Sequence, residues 1–450
     1  MKAASQGRPY LHELDRLRVT TALSVIAVHV FGLTMFLDKT PLAFEAQNVF
    51  VSLFHFTREV FMFVTAFALV YVYYGKPFAL GHFWKRRGMG VLLPYTFWTI
   101  VYFWVNDYLL STERPNSPLL IVQKLAWDLV TGNASYQLYY ILLTIQFYLL
   151  FPIFLKFLRR VERHPWPVLG ISFVLEVGIL YALQSNLQAR LLPSQVASWI
   201  DQFKDSFVLI YQFFFILGGM VALYLENVRA FLLRYGRWVV GSMAAALAAL
   251  AIHYLVATRL QHESVTTAAG VLQPIMAFYG TIVIFFFYWL AYRQVTRAAQ
   301  RQTMRGQRIW HSFSDAAFGI YLVHPLILGA LTGLVTLAFM SWPAVVLLVL
   351  LWALTAAGSI AWSLILLRIP VLSRLVGRER KTSQKPSLEG KPARESLRGL
   401  GDTLTARLLM WRAIKHTTVL PTDTEADDVL LHPVETNSRR AALVGKEARP

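Results

Sequence analysis

Apolar stretches of about 20 residues recur along most of the chain, separated by short polar and basic segments. At 1.5 Å per helical residue, each can cross a hydrocarbon core about 30 Å thick. They run roughly over 19–37, 50–74, 89–110, 136–158, 167–185, 207–225, 238–257, 268–292, 313–338 and 343–367. Backbone in lipid must satisfy its own hydrogen bonds, so each run is predicted to be helical. The expected fold is all-α, a polytopic membrane bundle of about ten transmembrane helices. No internal repeat stands out.

Both ends are polar. Met1 to Arg18 is basic, and the run Val19 to Leu37 is too long for a signal-peptide core and lacks an A-x-A-type cleavage site. It reads as the first span. From about Arg368 the chain turns to Ser, Pro, Glu, Lys and Arg. This divides it into a membrane domain, 1–367, and a basic, mostly disordered cytoplasmic tail, 368–450. Within the tail, Leu404, Leu408 and Trp411 stand at helical spacing beside Arg407 and Arg412. That stretch, Leu404 to Ile414, is either a membrane-surface helix or irregular chain.

Composition supports the pattern. Hydrophobic residues make up 56% and charged residues 15%, against about a quarter charged in soluble domains. The net charge of +18 is organised by loop. Twenty Lys and Arg fall on the side of the N-terminus, among them Arg8, Arg87, Arg163, Arg229 and Arg308, against six on the other. The alternation places both termini in the cytoplasm and the chain in the plasma membrane. The charge therefore reflects topology, and no nucleic-acid partner is expected. The absence of cysteine excludes disulfides, thiolate metal sites and an acyl-cysteine. No P-loop, H-E-x-x-H, G-x-S-x-G or EF-hand loop occurs, and no metal site is expected.

Ionisable residues inside spans are costly and mark candidate chemistry. His29 stands in the first span, eleven residues after Arg18. Eleven residues make three turns plus about 20°, so the two share a face about 16 Å apart along the axis. That suits a long substrate with a charged head at the membrane surface and a reactive end inside, the shape of acyl-coenzyme A. Arg18 can bind phosphate in a planar fork, or serve as an ordinary positive-inside anchor. His29 can act as a general base, or as a helix-packing histidine. Arg58 and Glu59 read as a structural pair or as an acceptor path. Glu176, mid-span, is a packing carboxyl or joins that path.

Asp15-Arg16-Leu17-Arg18 followed by His29 resembles the opening of the acyltransferase-3 family of membrane acyltransferases. Four more segments are similar to that family, in order. They are Phe61-Met62-Phe63-Val64-Thr65-Ala66-Phe67; Phe83-Trp84-Lys85-Arg86-Arg87 with Leu93-Pro94-Tyr95; Leu138-Tyr139-Tyr140 with Gln146 to Pro152; and Phe318 to Pro325. The likeness spans residues 12 to about 367. The chain departs from the pattern at Thr65-Ala66, usually Ser-Gly, at Gly90, usually the second Arg of R-x-x-R, and at Tyr139, often Trp. The resemblance implies an O-acyltransferase using acyl-CoA, above all acetyl-CoA, as co-substrate with no bound cofactor. The acceptor it implies is a cell-surface saccharide or glycolipid. It implies His29 as catalytic, Arg18, Lys85, Arg86 and Arg87 as donor-binding, and Asp15, Tyr148, Tyr321 and His324 as supporting. From the residues alone, a ten-helix transporter with Arg58, Glu59 and Glu176 along its path is the rival.

Overall fold

The computed structural model describes residues 8–34, 40–111, 114–300, 304–339 and 342–378. All belong to one compact unit. The Leu404 to Ile414 stretch lies outside the described residues. Among the described residues there is no strand.

The chain runs as α1 (His12–Leu33), α2 (Pro41–Phe54), α3 (Thr57–Tyr73) and α4 (Leu80–Tyr102), the last continuing into a π-helical Phe103–Leu110. An amphipathic α5 (Pro118–Thr131) precedes α6 (Tyr139–Val161) and α7 (Pro165–Gln184). Short α8 (Leu187–Leu191) and α9 (Ser194–Phe203) lead through two 3-10 turns to α10 (Gln212–Leu223) and α11 (Leu225–Arg234). Then come α12 (Gly236–Arg259), a short α13 (Val265–Ala268), α14 (Pro274–Gln300), α15 (Met304–Phe339) and α16 (Ala344–Arg368). A 3-10 turn, Leu372–Val376, closes the described chain. Local signals set several ends. Thr40 and Ser117 cap helices that open on Pro41 and Pro118, and Gly132, at φ +76°, ends α5 in the left-handed region.

Among the described residues nine helices are long and apolar enough to span a membrane, and ten if the bent pair Ser194–Ser206 with Val208–Leu223 is one span. The chain is a multi-pass membrane protein. Three boundaries differ from the hydropathy reading. The first helix begins at His12 because its early charges are satisfied inside the bundle: Glu13 pairs with Arg229, Asp15 accepts from Tyr10, and Arg16 donates to Gln294. His29 therefore lies about one turn from the far end of α1, not mid-helix. The expected 50–74 span breaks at His55 and Phe56, between two equally apolar halves. The expected 207–225 span opens as a 3-10 turn and meets the preceding helix at a 55° bend. In α15, Tyr321 and His324 fall on either side of the helix midpoint. Residues beyond Arg368, counted with the tail by composition, stay packed: Trp98 Nε1 donates to the Leu375 carbonyl at 3.0 Å, and Arg378 pairs with Asp315.

The core centres on α3, α10 and α14, where Phe63, Phe67, Phe214, Val283 and Tyr288 are buried. Helices α3 and α10 approach closely because Gly218 has no side chain. A Cβ there would overlap the Phe63 carbonyl oxygen. Gly218→Ala is therefore expected to cost about 1–3 kcal/mol by overpacking. Thermal unfolding in detergent checks this, and an unchanged melting temperature would contradict the close approach.

Candidate active site

Helix α15 explains one motif physically. Pro325 has no N–H, so the Tyr321 carbonyl four residues earlier loses its helical donor. The His324 ring fills the gap, its Nδ1 standing 2.8 Å from that carbonyl. A carbonyl only accepts, so Nδ1 carries the proton and Nε2 holds a bare lone pair. That Nε2 is buried and has no hydrogen-bond partner among the described residues. The His324 ring stacks on His29 at 5.2 Å between centroids, and Tyr136 covers His29 at 4.3 Å. The Tyr321 hydroxyl donates to the Gln137 carbonyl, and Tyr102 donates to the Leu322 carbonyl at 2.6 Å. Together they tie the 132–138 loop and α4 to α15. Asn133-Ala134-Ser135 belongs to this loop, and the buried Ser135 hydroxyl donates to Gln137 Oε1 at 2.6 Å.

Beside His29 lies a cavity of about 130 Å³, whose polar lining includes His29, His55, Arg58, Gln137, Tyr139, Tyr140 and Tyr321. Arg58 is held from behind. Its Nη1 lies 3.3 Å from Asp205, its Nη2 4.0 Å from Glu59, and its guanidinium lies over Tyr211. Neither Glu59 nor Asp205 lines the cavity. Glu176 is buried outside the cavity lining, where its carboxyl meets the Phe213 amide at 3.3 Å at the start of α10.

The sequence-derived cations gather at the opposite, basic end. Arg18 is half-buried and makes no hydrogen bond or ion pair with another described residue. Lys85 and Arg86 are exposed at the start of α4, while Arg87 sits over the rings of Tyr73 and Tyr148, at 5.8 and 6.0 Å. Asp15 accepts from Tyr10 at 2.6 Å and lies 3.4 Å from His311. The same end carries a cleft of about 840 Å³ whose lining includes Arg8, Arg163, Arg229, Tyr71 and Tyr292. None of Arg18, Lys85, Arg86 and Arg87 lines it. The structure thus brings together His29, His324, Tyr321 and Arg58, and separately Arg87 with Tyr148. Glu176 lies close enough to Arg58 and Glu59 to interact electrostatically with them, but it does not line the cavity. Sequence reasoning missed Gln137, His55 and Tyr136. Gln137 directly precedes the Leu138-Tyr139-Tyr140 motif, which was the available signal.

Among the described residues the bundle, with nine or ten helices able to span, carries a polar cavity beside His29 and a separate cleft at its basic end. The acyltransferase-3 model, described as an acyltransferase domain, matches residues 11–368, and the chain belongs to that family. It is a membrane acyltransferase, with the bilayer, an acyl donor and an acyl acceptor as its partners. It is also similar to a Bacillus subtilis (strain 168) protein named "Putative membrane-bound acyltransferase YfiQ", at 27% identity over 363 residues, covering 79% of this chain and 91% of that one. No solved structure matches. Family membership removes the transporter rival.

Proposed function

We propose that the protein moves an acetyl or other short acyl group from cytoplasmic acyl-CoA to a hydroxyl of a cell-surface or lipid-linked saccharide. The basic end faces the cytoplasm of a cell whose plasma membrane the chain spans, following the bias of Lys and Arg between loops. The observation that carries this reading is the pairing on α1 of a half-buried Arg18, without a counterion among the described residues, and His29, about 16 Å further along at the inner cavity. Arg18, with Lys85, Arg86 and Arg87, binds CoA phosphates at the basic end. The pantetheine arm then reaches toward His29.

His29 takes the proton of the acceptor hydroxyl as its oxygen bonds to the acyl carbon. The tetrahedral intermediate collapses, the C–S bond breaks, and the thiolate leaves with that proton as CoA-SH. Asp15 holds the start of α1 through Tyr10, and Tyr321 with His324 holds the wall behind His29. The acceptor enters from the non-basic end, on the side of Glu59 and Glu176, toward the cavity that Arg58 and His29 line.

Binding of labelled acetyl-CoA to detergent-purified protein tests the donor site. Arg18→Ala is expected to weaken binding by about 1.5–3 kcal/mol, the range for hydrogen bonds to charged groups. Unchanged affinity in a well-folded variant moves the phosphates elsewhere. The 840 Å³ cleft with Arg8 and Arg163 is then the next place to look.

A further inference from the structure

The cavity beside His29 has more donors than its neighbours can use. Arg58, 5% exposed, leaves Nε and Nη2 without hydrogen-bond acceptors among the described residues. Gln137, 1% exposed, leaves Nε2 without one among the described residues, while its Oε1 accepts from the Ser135 hydroxyl. Buried donors of this kind are costly unless something fills the site. Both residues line the same 130 Å³ cavity, and Arg58 is the only cation among its described lining residues. Its two carboxylate partners stand behind it, outside the cavity. They hold the guanidinium in place without occupying the space in front. Arg58, Gln137 and His29 thus line one small cavity, with donors on the first two left to spare. Water can fill it while no substrate is bound, at about 30 Å³ per molecule. That leaves room for only a few heavy atoms, the size of an acetyl group with the attacking oxygen.

We propose that Gln137 and Arg58 form the oxyanion site of the transfer, donating to the acyl carbonyl oxygen as His29 deprotonates the hydroxyl. The inference rests on the acyl-transfer reading above. When the hydroxyl oxygen bonds to the acyl carbon, the carbonyl π pair moves onto oxygen, and the two donors stabilise that charge. When the C–S bond breaks, the pair returns to reform the carbonyl, and the thiolate takes the proton from His29. Donors aimed at developing charge in a site closed to water are worth more than the same donors in solution. The Tyr321 bond to the Gln137 backbone carbonyl makes Gln137 a positioned donor and not a mobile loop residue.

The test uses the full-length protein and acetyl-CoA labelled with ¹³C at the carbonyl. Isotope-edited infrared difference spectra read the carbonyl stretch of the bound donor. Membrane vesicles containing the native acceptor read transfer. In the parent the stretch is expected at lower wavenumber than in free acetyl-CoA. Gln137→Met has nearly the same volume and keeps the backbone carbonyl that Tyr321 uses. It should return the stretch toward the free value and slow transfer by about 10²-fold, the usual loss of one oxyanion donor, with donor affinity within about threefold of the parent. Arg58→Lys, which keeps the charge and removes Nε, should shift the stretch in the same direction. An unshifted stretch in the parent overturns the proposal, as does Gln137→Met transferring within about threefold of the parent rate. A parent that binds no acetyl-CoA removes the acyl-transfer reading itself, and the oxyanion site with it. Normal binding and transfer in both parent and Gln137→Met removes the oxyanion site alone.

Discussion

His29→Ala is expected to lower acyl transfer by about 10²-fold or more, the usual contribution of a positioned general base. Expression and donor binding should stay near the parent. The expectation follows from where the ring sits. It lines a polar cavity in the bundle interior, stacked on His324 and covered by Tyr136. The nearby His324 is committed to the Tyr321 carbonyl through Nδ1, which orients its ring and leaves its Nε2 without a partner. His29→Gln separates catalysis from packing. It keeps hydrogen-bonding capacity and nearly the same volume, yet cannot take up a proton at neutral pH. A base role gives an inactive but well-folded His29→Gln protein. A packing role gives the reverse: lost expression in His29→Ala and near-normal turnover in His29→Gln.

Glu13→Ala is expected to be the most destabilising single change among those considered. Its side chain is 3% exposed, pairs with Arg229 of α11, and accepts from the Tyr288 hydroxyl of α14 at 3.1 Å. Removing one partner of such a pair typically costs about 3–5 kcal/mol, because the remaining charge is left in a poorly solvated place. Glu226, on the same helix as Arg229, also pairs with it at 2.7 Å and is largely exposed. It retains part of the interaction, so about 3 kcal/mol is the expected loss. Detergent melting curves read it. The double variant Glu13→Leu with Arg229→Met should recover most of the difference, since replacing both charges by apolar groups removes the stranded ion. A single variant that melts with the parent would show that the pair does not hold α1 in place.

Most of the bundle was legible as a succession of apolar runs, because lipid forces helices of a minimum length. What hydropathy could not see were breaks between equally apolar segments, at His55 and around Val208, and the earlier start of α1. The start was hidden because Glu13, Asp15 and Arg16 read as loop charges until their partners on α11 and α14 and in the segment before α1 are known. At the candidate site, His29 and Arg18 were legible from helical geometry alone. His324 was legible from resemblance, and its hydrogen bond explains the residue order: proline frees a carbonyl and the preceding histidine occupies it. Gln137 was not legible, since a loop residue shows no periodicity and acquires its place only through Ser135 and Tyr321. Glu176 was legible as unusual, but its partner was not, because only packing shows that its carboxyl meets the start of α10. The basic-end cleft draws on residues from 8 to 295, which no local pattern connects.

Sealed inverted membrane vesicles, with the basic end of the bundle outward, give the most direct measurement of donor entry and of His29 together. Labelled acetyl-CoA is added outside, and label is followed into alkali-labile ester on membrane saccharide. The expected result is incorporation with the parent, loss of about 10²-fold or more with His29→Gln at unchanged donor binding, and little incorporation in sealed right-side-out vesicles. Equal incorporation by parent and His29→Gln, or by vesicles of both orientations, would contradict it.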